Sequence, residues 1–301
     1  MEKIKTVFHG EDKKHAYVMG CEEKYRSTIY SAARRVVASG VGLVTLLGPS
    51  CSGKTTSSAL LSKVLADNGK NVHIISIDDF YRGRDEIIRY AEENGSKPDF
   101  ESAESLDLET LSSSLGSMLS GGDVLVPRFS FKSGMRVGEK KIKRSDNDIF
   151  ILEGIQVMYP EITALYDKDK CFSVSINVAS SAEIDGKTFL PEDIRLMRRI
   201  VRDYNFRSAS PEFTLNNWES VRENEEKRIY PYIDKCDFKI NSYMGYEVNM
   251  IKPYISSLLS GFEREERFYD FAKDTLDKLR HVPVIESKYL PYDSLFREFL
   301  G

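Results

Sequence analysis

Apolar positions along this chain switch between two rhythms. From residue 24 to 38 (KYRSTIYSAARRVVA), Tyr25, Ile29, Ala32, Val36 and Val37 recur at helical intervals, which predicts a helix packed on the neighbouring elements. Gly40 and Gly42 interrupt it. VGLVTLL (41–47) is then a continuous apolar run closed by Gly48, the pattern of a buried parallel strand. In SSALLSKVLADNG the helical spacing returns at Leu60, Leu61, Val64 and Leu65, with Gly69 as the expected C-cap. NVHIISI (71–77) predicts a second buried strand. DVLVP (123–127), DIFILEG (148–154), CFSVSINV (171–178) and CDFKI (236–240) predict further strands, with helix-like stretches at 103–119, 192–204, 211–228 and 246–259. Strands alternating with helices mean βαβ crossovers, so the expected fold is α/β, a doubly wound parallel sheet. Residues 262–301 are first helical and charged, then extended around Pro283 and Pro291, as an appended helix would be.

Composition narrows the class. The chain has 301 residues, 41% hydrophobic and 30% charged, which excludes a disordered or low-complexity protein. Acidic residues outnumber basic ones by 47 to 43, which argues against a general polyanion binder. Aromatic and basic residues are not interleaved as a nucleic-acid groove requires, so no nucleic-acid partner is expected. No apolar run approaches the roughly 18 residues of a membrane helix, and MEKIKTVFHGEDKK is charged where a signal peptide is apolar. Four cysteines without C-x-x-C spacing predict a reduced, cytoplasmic protein with neither disulfides nor zinc. His9, His15, His73 and His281 are scattered, and core or surface roles are expected of them.

The chemistry concentrates where the first strand meets the next helix. Gly48-Pro49-Ser50-Cys51-Ser52-Gly53-Lys54-Thr55, followed by Thr56, fits G-x-x-x-x-G-K-[ST] at every fixed position. Glycines let the backbone wrap phosphate oxygens so that successive N–H groups point inward, and the helix N-terminus adds positive potential. Lys54 supplies a point charge for the outer phosphates, and the Thr55 hydroxyl is a Mg²⁺ ligand. Glu153, directly after an apolar strand, is the expected carboxylate partner of that metal. Asp78 and Asp79 stand at the carboxyl end of the second strand. One of them is placed to accept a proton from an acceptor hydroxyl, and capping of the next turn is the competing role. Arg195, Arg198, Arg199 and Arg202 follow i, i+3, i+4, i+7 spacing, with Arg207 beyond, so one helical face is expected to be cationic and to close over a phosphoryl group.

Taken together, GPSCSGKTT, DDFY, DFESAESLDLE, PRFSFKSGMR, FILEG and RLMRRIVRDYNFR resemble the uridine kinase/phosphoribulokinase family of P-loop kinases, most closely its bacterial uridine kinase-like nucleoside kinases. The resemblance spans roughly residues 25–260 and extends to the final DSLFREFLG. It implies Asp78 as catalytic base, and Lys54, Arg199, Arg202 and Arg207 as phosphate-gripping groups. Tyr81, Glu101, Phe129, Arg136 and Arg199 then stand on the acceptor side. Two positions depart from the pattern: a base-reading histidine falls on Gly134, and a later lid arginine on Ala209.

The expected function is therefore ATP- and Mg²⁺-dependent phosphorylation of a hydroxyl on a small molecule, a nucleoside such as uridine or cytidine. The alternatives are a kinase for another small alcohol or sugar, and a non-catalytic ATP-binding regulatory module. A third, an NTPase acting on a macromolecule, rests only on the charged stretch 262–280. The expected organisation is a helical extension (1–40), a P-loop kinase domain (41–261) with a helical lid near 180–215, and a helical tail (262–301). Family members often self-associate, so the resemblance also implies a homo-oligomer.

Overall fold

The computed structural model describes residues 2–3 and 10–301, so His9 and most of the stretch 1–9 lie outside the described residues. In chain order the elements are β1 (Glu2–Lys3), α1 (Glu11–Ser39), β2 (Leu43–Leu47), α2 (Lys54–Asp67), β3 (Asn71–Ser76), α3 (Arg84–Glu93), α4 (Leu108–Ser120), β4 (Val124–Ser130), β5 (Met135–Ile142), β6 (Asp148–Glu153), α5 (Pro160–Thr163) and β7 (Cys171–Asn177). They are followed by β8 (Ala182–Ile184), β9 (Lys187–Phe189), α6 (Pro191–Arg207), α7 (Pro211–Arg228), α8 (Tyr230–Ile233), β10 (Phe238–Asn241), α9 (Glu247–Leu259), α10 (Tyr269–Leu279) and α11 (Arg297–Leu300).

Five strands form the parallel sheet in the order β10-β7-β2-β6-β3. Period-two alternation divides their side chains between two cores. Val44, Leu46, Ile149 and Ile151 face α1, α2, α6 and α9, whereas Leu43, Leu47, Phe150 and Leu152 face α3, α4 and β4. Apolar cover on both faces is why β2 and β6 read as unbroken hydrophobic runs. Because β6 lies between β2 and β3, the carboxyl ends of these three strands open side by side: Glu153 pairs with Leu46 on one side and Ser76 on the other. Ligands of doubly wound sheets bind at such ends.

The structure changes four of the expected elements. DVLVP is not part of the parallel sheet; β4 pairs antiparallel with β5 in a separate two-stranded hairpin. β3 is an edge strand and only half buried, with Ile74 41% exposed, rather than a buried one. The helix expected from 103 starts at Leu108, because the Asp107 side chain accepts from Thr110 N–H and fixes the start there. The helix expected from 24 starts at Glu11, where the weakly apolar first turns hid it.

Residues 290–301 pack into the main core. Leu295, Phe296 and Phe299 are fully buried, and Ser294 Oγ donates to the buried Glu22 of α1 at 2.5 Å. Arg26 and Asp293 pair at 2.6 Å across the same seam. Phe299 lies under the Arg198 guanidinium at 4.9 Å.

Candidate active site

A cleft of about 690 Å³ opens at the carboxyl ends of β2, β6 and β3, within the size range of small-molecule sites. One wall is the loop between β2 and α2. Gly48 lies so close to the Ile176 carbonyl that a Cβ would collide with it. Cys51 (φ 58°) and Gly53 (φ 89°) take left-handed conformations, the kind of backbone from which anion-binding nests of amides are built.

The loop is held from behind by two arginines. Arg195 and Arg198 are fully buried. Arg195 forks onto Glu225 at 2.7 Å twice and donates to the Ser50 carbonyl at 3.0 Å. Arg198 pairs with Glu247 at 2.6 and 3.0 Å and donates to the Cys51 carbonyl at 3.1 Å. The Ser50 and Cys51 carbonyls are thereby fixed, and Glu225 Oε1 also accepts from the Ser50 N–H at 2.9 Å. This corrects the expectation that Arg195, Arg198, Arg199 and Arg202 form one cationic face, since the first two are neutralised by carboxylates inside the core. Burial pushes the Glu247 carboxyl up, and the Arg198 guanidinium pulls against it. Removing one partner strands a buried charge. Glu247→Gln is therefore expected to lose about 3 kcal/mol or more in urea unfolding, with a parallel loss of nucleotide affinity as the loop relaxes.

The remaining cations line the cleft. Arg199, Arg202 and Arg207 share a single carboxylate, Asp203, at 3.4, 2.7 and 3.6 Å. Three cations against one carboxylate leave unbalanced positive charge. Burial, with Arg202 nearby, lowers the Arg207 pKa. The Lys54 ammonium lies back on its own loop, donating to the Gly48 and Pro49 carbonyls at 2.8 and 3.1 Å. Burial lowers its pKa, and Glu153, Glu298 and Asp78 oppose that.

The aspartate pair divides its work. Both residues sit in a 3₁₀ turn, Ile77–Phe80, directly after β3. Asp79 Oδ1 accepts from Phe129 N–H at 3.3 Å and so ties the β4–β5 hairpin to the sheet. Asp78 lines the cleft. Burial, and then the neighbouring Glu153, push its carboxyl up to about 6. Glu153 and the exposed Thr55 line the same cleft. Carboxylate and hydroxyl oxygens are the hard donors that suit Mg²⁺, so the residues present fit that ion.

Away from the loop the cleft is aromatic. Tyr81, Phe129 and Phe131 stand with ring centroids 5.3 to 6.0 Å apart, and Gln156 Nε2 donates to the Tyr81 hydroxyl at 3.0 Å. Asn224 of α7 donates to Glu101, whose carboxyl is pushed up by burial and by Asp99. Of the residues expected at the site, Ser50, Cys51, Ser52, Gly53, Lys54, Thr55, Asp78, Tyr81, Glu101, Phe129, Glu153, Arg199, Arg202 and Arg207 converge on this cleft. Gly48 and Pro49 shape the loop from outside it. Thr56 faces Glu298, whose Oε2 accepts from its N–H at 3.2 Å and its hydroxyl at 2.9 Å. Arg136 is not brought in: it lies on β5, paired with Asp107 at 2.8 Å. Against burial, Thr110 and Arg136 hold the Asp107 carboxyl down at about 2.

Sequence reasoning missed Arg84, Asn224, Glu225 and Glu298, which line the cleft together with Phe131 of the Phe129-Ser130-Phe131 segment. Arg84 lies against Gly134, where a Cβ would stand 3.1 Å from its own. Arg84, Asn224 and Glu225 belong to none of the quoted motifs; Phe131 lies within PRFSFKSGMR, and the DSLFREFLG ending was the one available signal for Glu298.

Comparison with known proteins gives the family and the fold. The profile of the Phosphoribulokinase / Uridine kinase family matches residues 43–249. A uridine kinase of Schizosaccharomyces pombe is 33% identical over 86% of this chain and 54% of its own length. Uridine-cytidine kinase B of Dictyostelium discoideum is 26% identical over 72% of this chain and 82% of its own. Among solved structures, D-glycerate 3-kinase of Cryptococcus neoformans shares the fold at a TM-score of 0.51 and 14% identity, over 78% of this chain and 98% of that one.

Proposed function

The chain belongs to the phosphoribulokinase/uridine kinase family, and from that premise we propose that it transfers the γ-phosphoryl group of ATP to a hydroxyl of a nucleoside such as uridine or cytidine. Family membership carries phosphorylation of a small molecule. The observation supporting a transferase over a regulatory nucleotide binder is the meeting of Asp78 with Lys54 and the loop in one cleft, because a binder needs no acceptor carboxylate. The aromatic walls of Tyr81, Phe129 and Phe131 suit the face of a base, and Glu101 with Asn224 offers acceptors and donors to sugar hydroxyls.

In this reading the loop amides and α2 N-terminus hold the phosphates. Lys54 and Arg199, Arg202 and Arg207 balance the charge that develops as the bond to the leaving ADP oxygen breaks. Asp78, a carboxylate above pH 6, takes the proton of the hydroxyl whose oxygen forms the new bond to phosphorus. Mg²⁺, when bound, neutralises charge between the outer phosphates, and Thr55 and Glu153 would hold it.

ADP release measured over a panel of nucleosides, sugars and small hydroxy acids tests the proposal. Turnover of uridine or cytidine is expected. Turnover of a sugar or hydroxy acid with none of any nucleoside overturns the acceptor assignment, and tight ATP binding without any acceptor overturns the transferase.

Arg84 favours a second reading, a different small alcohol bearing an anionic group. Among the described residues it makes no ion pair, although it lines the cleft against Gly134. Arg84→Ala is expected to raise the acceptor KM about tenfold with kcat little moved, since an exposed charge contributes roughly 1.4 kcal/mol here. Unchanged KM for every acceptor removes Arg84 from recognition.

A further inference from the structure

The phosphate loop already holds an anion of the protein's own. The first amides of a helix have no partner inside it and are natural phosphate donors. In α2 the third of these, Thr56 N–H, is taken by the Glu298 carboxylate, which accepts the Thr56 hydroxyl as well, at 3.2 and 2.9 Å. The segment that carries Glu298 is pressed onto the loop: a Cβ on Gly53 would stand 2.5 Å from Leu295 Cδ1. Phe296 and Phe299 anchor it in the core, and Asn205 of α6 donates to the Phe299 carbonyl at 3.2 Å. On the other side of the loop, Lys54 is turned onto the Gly48 and Pro49 carbonyls. The Ser50 N–H is taken as well, by Glu225 Oε1 at 2.9 Å, so a cation and two backbone amides of the phosphate site are satisfied internally, and of the two carboxylates only Glu298 sits on the first turn of α2.

We propose that Glu298 is a stand-in for a nucleotide phosphate, so that nucleotide entry and release of the segment Leu295–Leu300 from the loop are one coupled equilibrium. A triphosphate with its terminal phosphate at Asp78 runs back over the first turn of α2 and requires the Thr56 donors. Two anions cannot share one N–H, and like charges at that distance repel. The carboxylate must therefore yield, and its docking free energy is subtracted from nucleotide affinity. Linkage makes the coupling reciprocal: whatever loosens the segment tightens nucleotide binding by the same factor. The inference concerns nucleotide binding alone and stands apart from the identity of the acceptor.

The test compares ADP, inorganic tripolyphosphate and adenosine, by calorimetry, on the full chain and its Glu298→Gln and Glu298→Ala variants. ADP and tripolyphosphate are expected to bind both variants about five- to twenty-fold more tightly, while adenosine, which brings no phosphate, binds as before. ADP binding that is unchanged or weaker in variants with an unaltered Tm overturns the proposal. In the unmodified protein, ADP is expected to speed hydrogen exchange at the amides of residues 295–300. Exchange that stays the same or slows overturns it independently of any variant.

Discussion

Asp78→Asn is expected to lower phosphoryl transfer by about 10³-fold while leaving the ATP dissociation constant within a factor of about two, since it removes a proton acceptor and no phosphate ligand. The unmodified enzyme is expected to gain rate as pH rises through about 6 and to level off above it, because the ionised form is the active one. The variant's residual rate should lack that step. Stability supplies a second readout of opposite sign. Burial and Glu153 push the folded carboxyl up to about 6 against about 3.9 for an unfolded aspartate, so above pH 6 the native state bears the full cost of a desolvated charge, about 3 kcal/mol. Below about pH 4 both states are protonated and the cost vanishes. Asp78→Asn should therefore melt higher than the unmodified chain at pH 8, and the two should converge at pH 4. A variant that keeps near-normal turnover, or melts lower at pH 8, removes Asp78 from the role of base.

The second large effect is expected at Lys54. Its ammonium rests on the Gly48 and Pro49 carbonyls at the wall of the cleft that Asp78 and Glu153 also line. Lys54→Ala is expected to cost about 10³-fold in kcat/KM, carried by kcat as well as KM, because charge on the moving phosphoryl group peaks in the transition state. Burial already disfavours the charged lysine, and Glu153, Glu298 and Asp78 restore it. Lys54→Arg is expected to fail too: a planar fork does not reproduce the compact point charge that here reaches both the Gly48 and Pro49 carbonyls. Single-turnover measurements at saturating ATP separate the binding and chemical parts of the loss. A loss confined to KM would make Lys54 a binding group only.

Legibility in the sequence followed locality. The phosphate loop is contiguous, and its fixed residues, flanking strand and succeeding helix are all set by neighbours within about twenty positions. The sheet strands β2, β6 and β7 were legible for the same reason: each is buried, so apolar residues dominate it, with Thr45, Ser173 and Ser175 among the buried polar exceptions. Most of β4 was legible as DVLVP, but its partner β5, and with it the hairpin, escaped because that outer strand is almost wholly exposed and has no apolar rhythm to show.

The arginine run shows the limit. Five arginines within thirteen residues announced positive charge, but nothing local separated the two that brace the loop from the three that face the cleft. Glu225 and Glu247 made that division, 30 and 49 residues downstream of their partners. Likewise Asp78 and Asp79 are chemically alike as a string; the Phe129 amide, 50 residues away, engages one and leaves the other to the cleft. Glu298 meets Thr56 across 242 residues. By itself the sequence determined a parallel α/β sheet and marked the candidate phosphate loop, since both arise from short-range periodicity and turn geometry. Which charges are spent inside the core, which remain for chemistry, and which segment occupies the loop were decided by tertiary structure alone, because a charge's role depends on the partner that burial forces upon it.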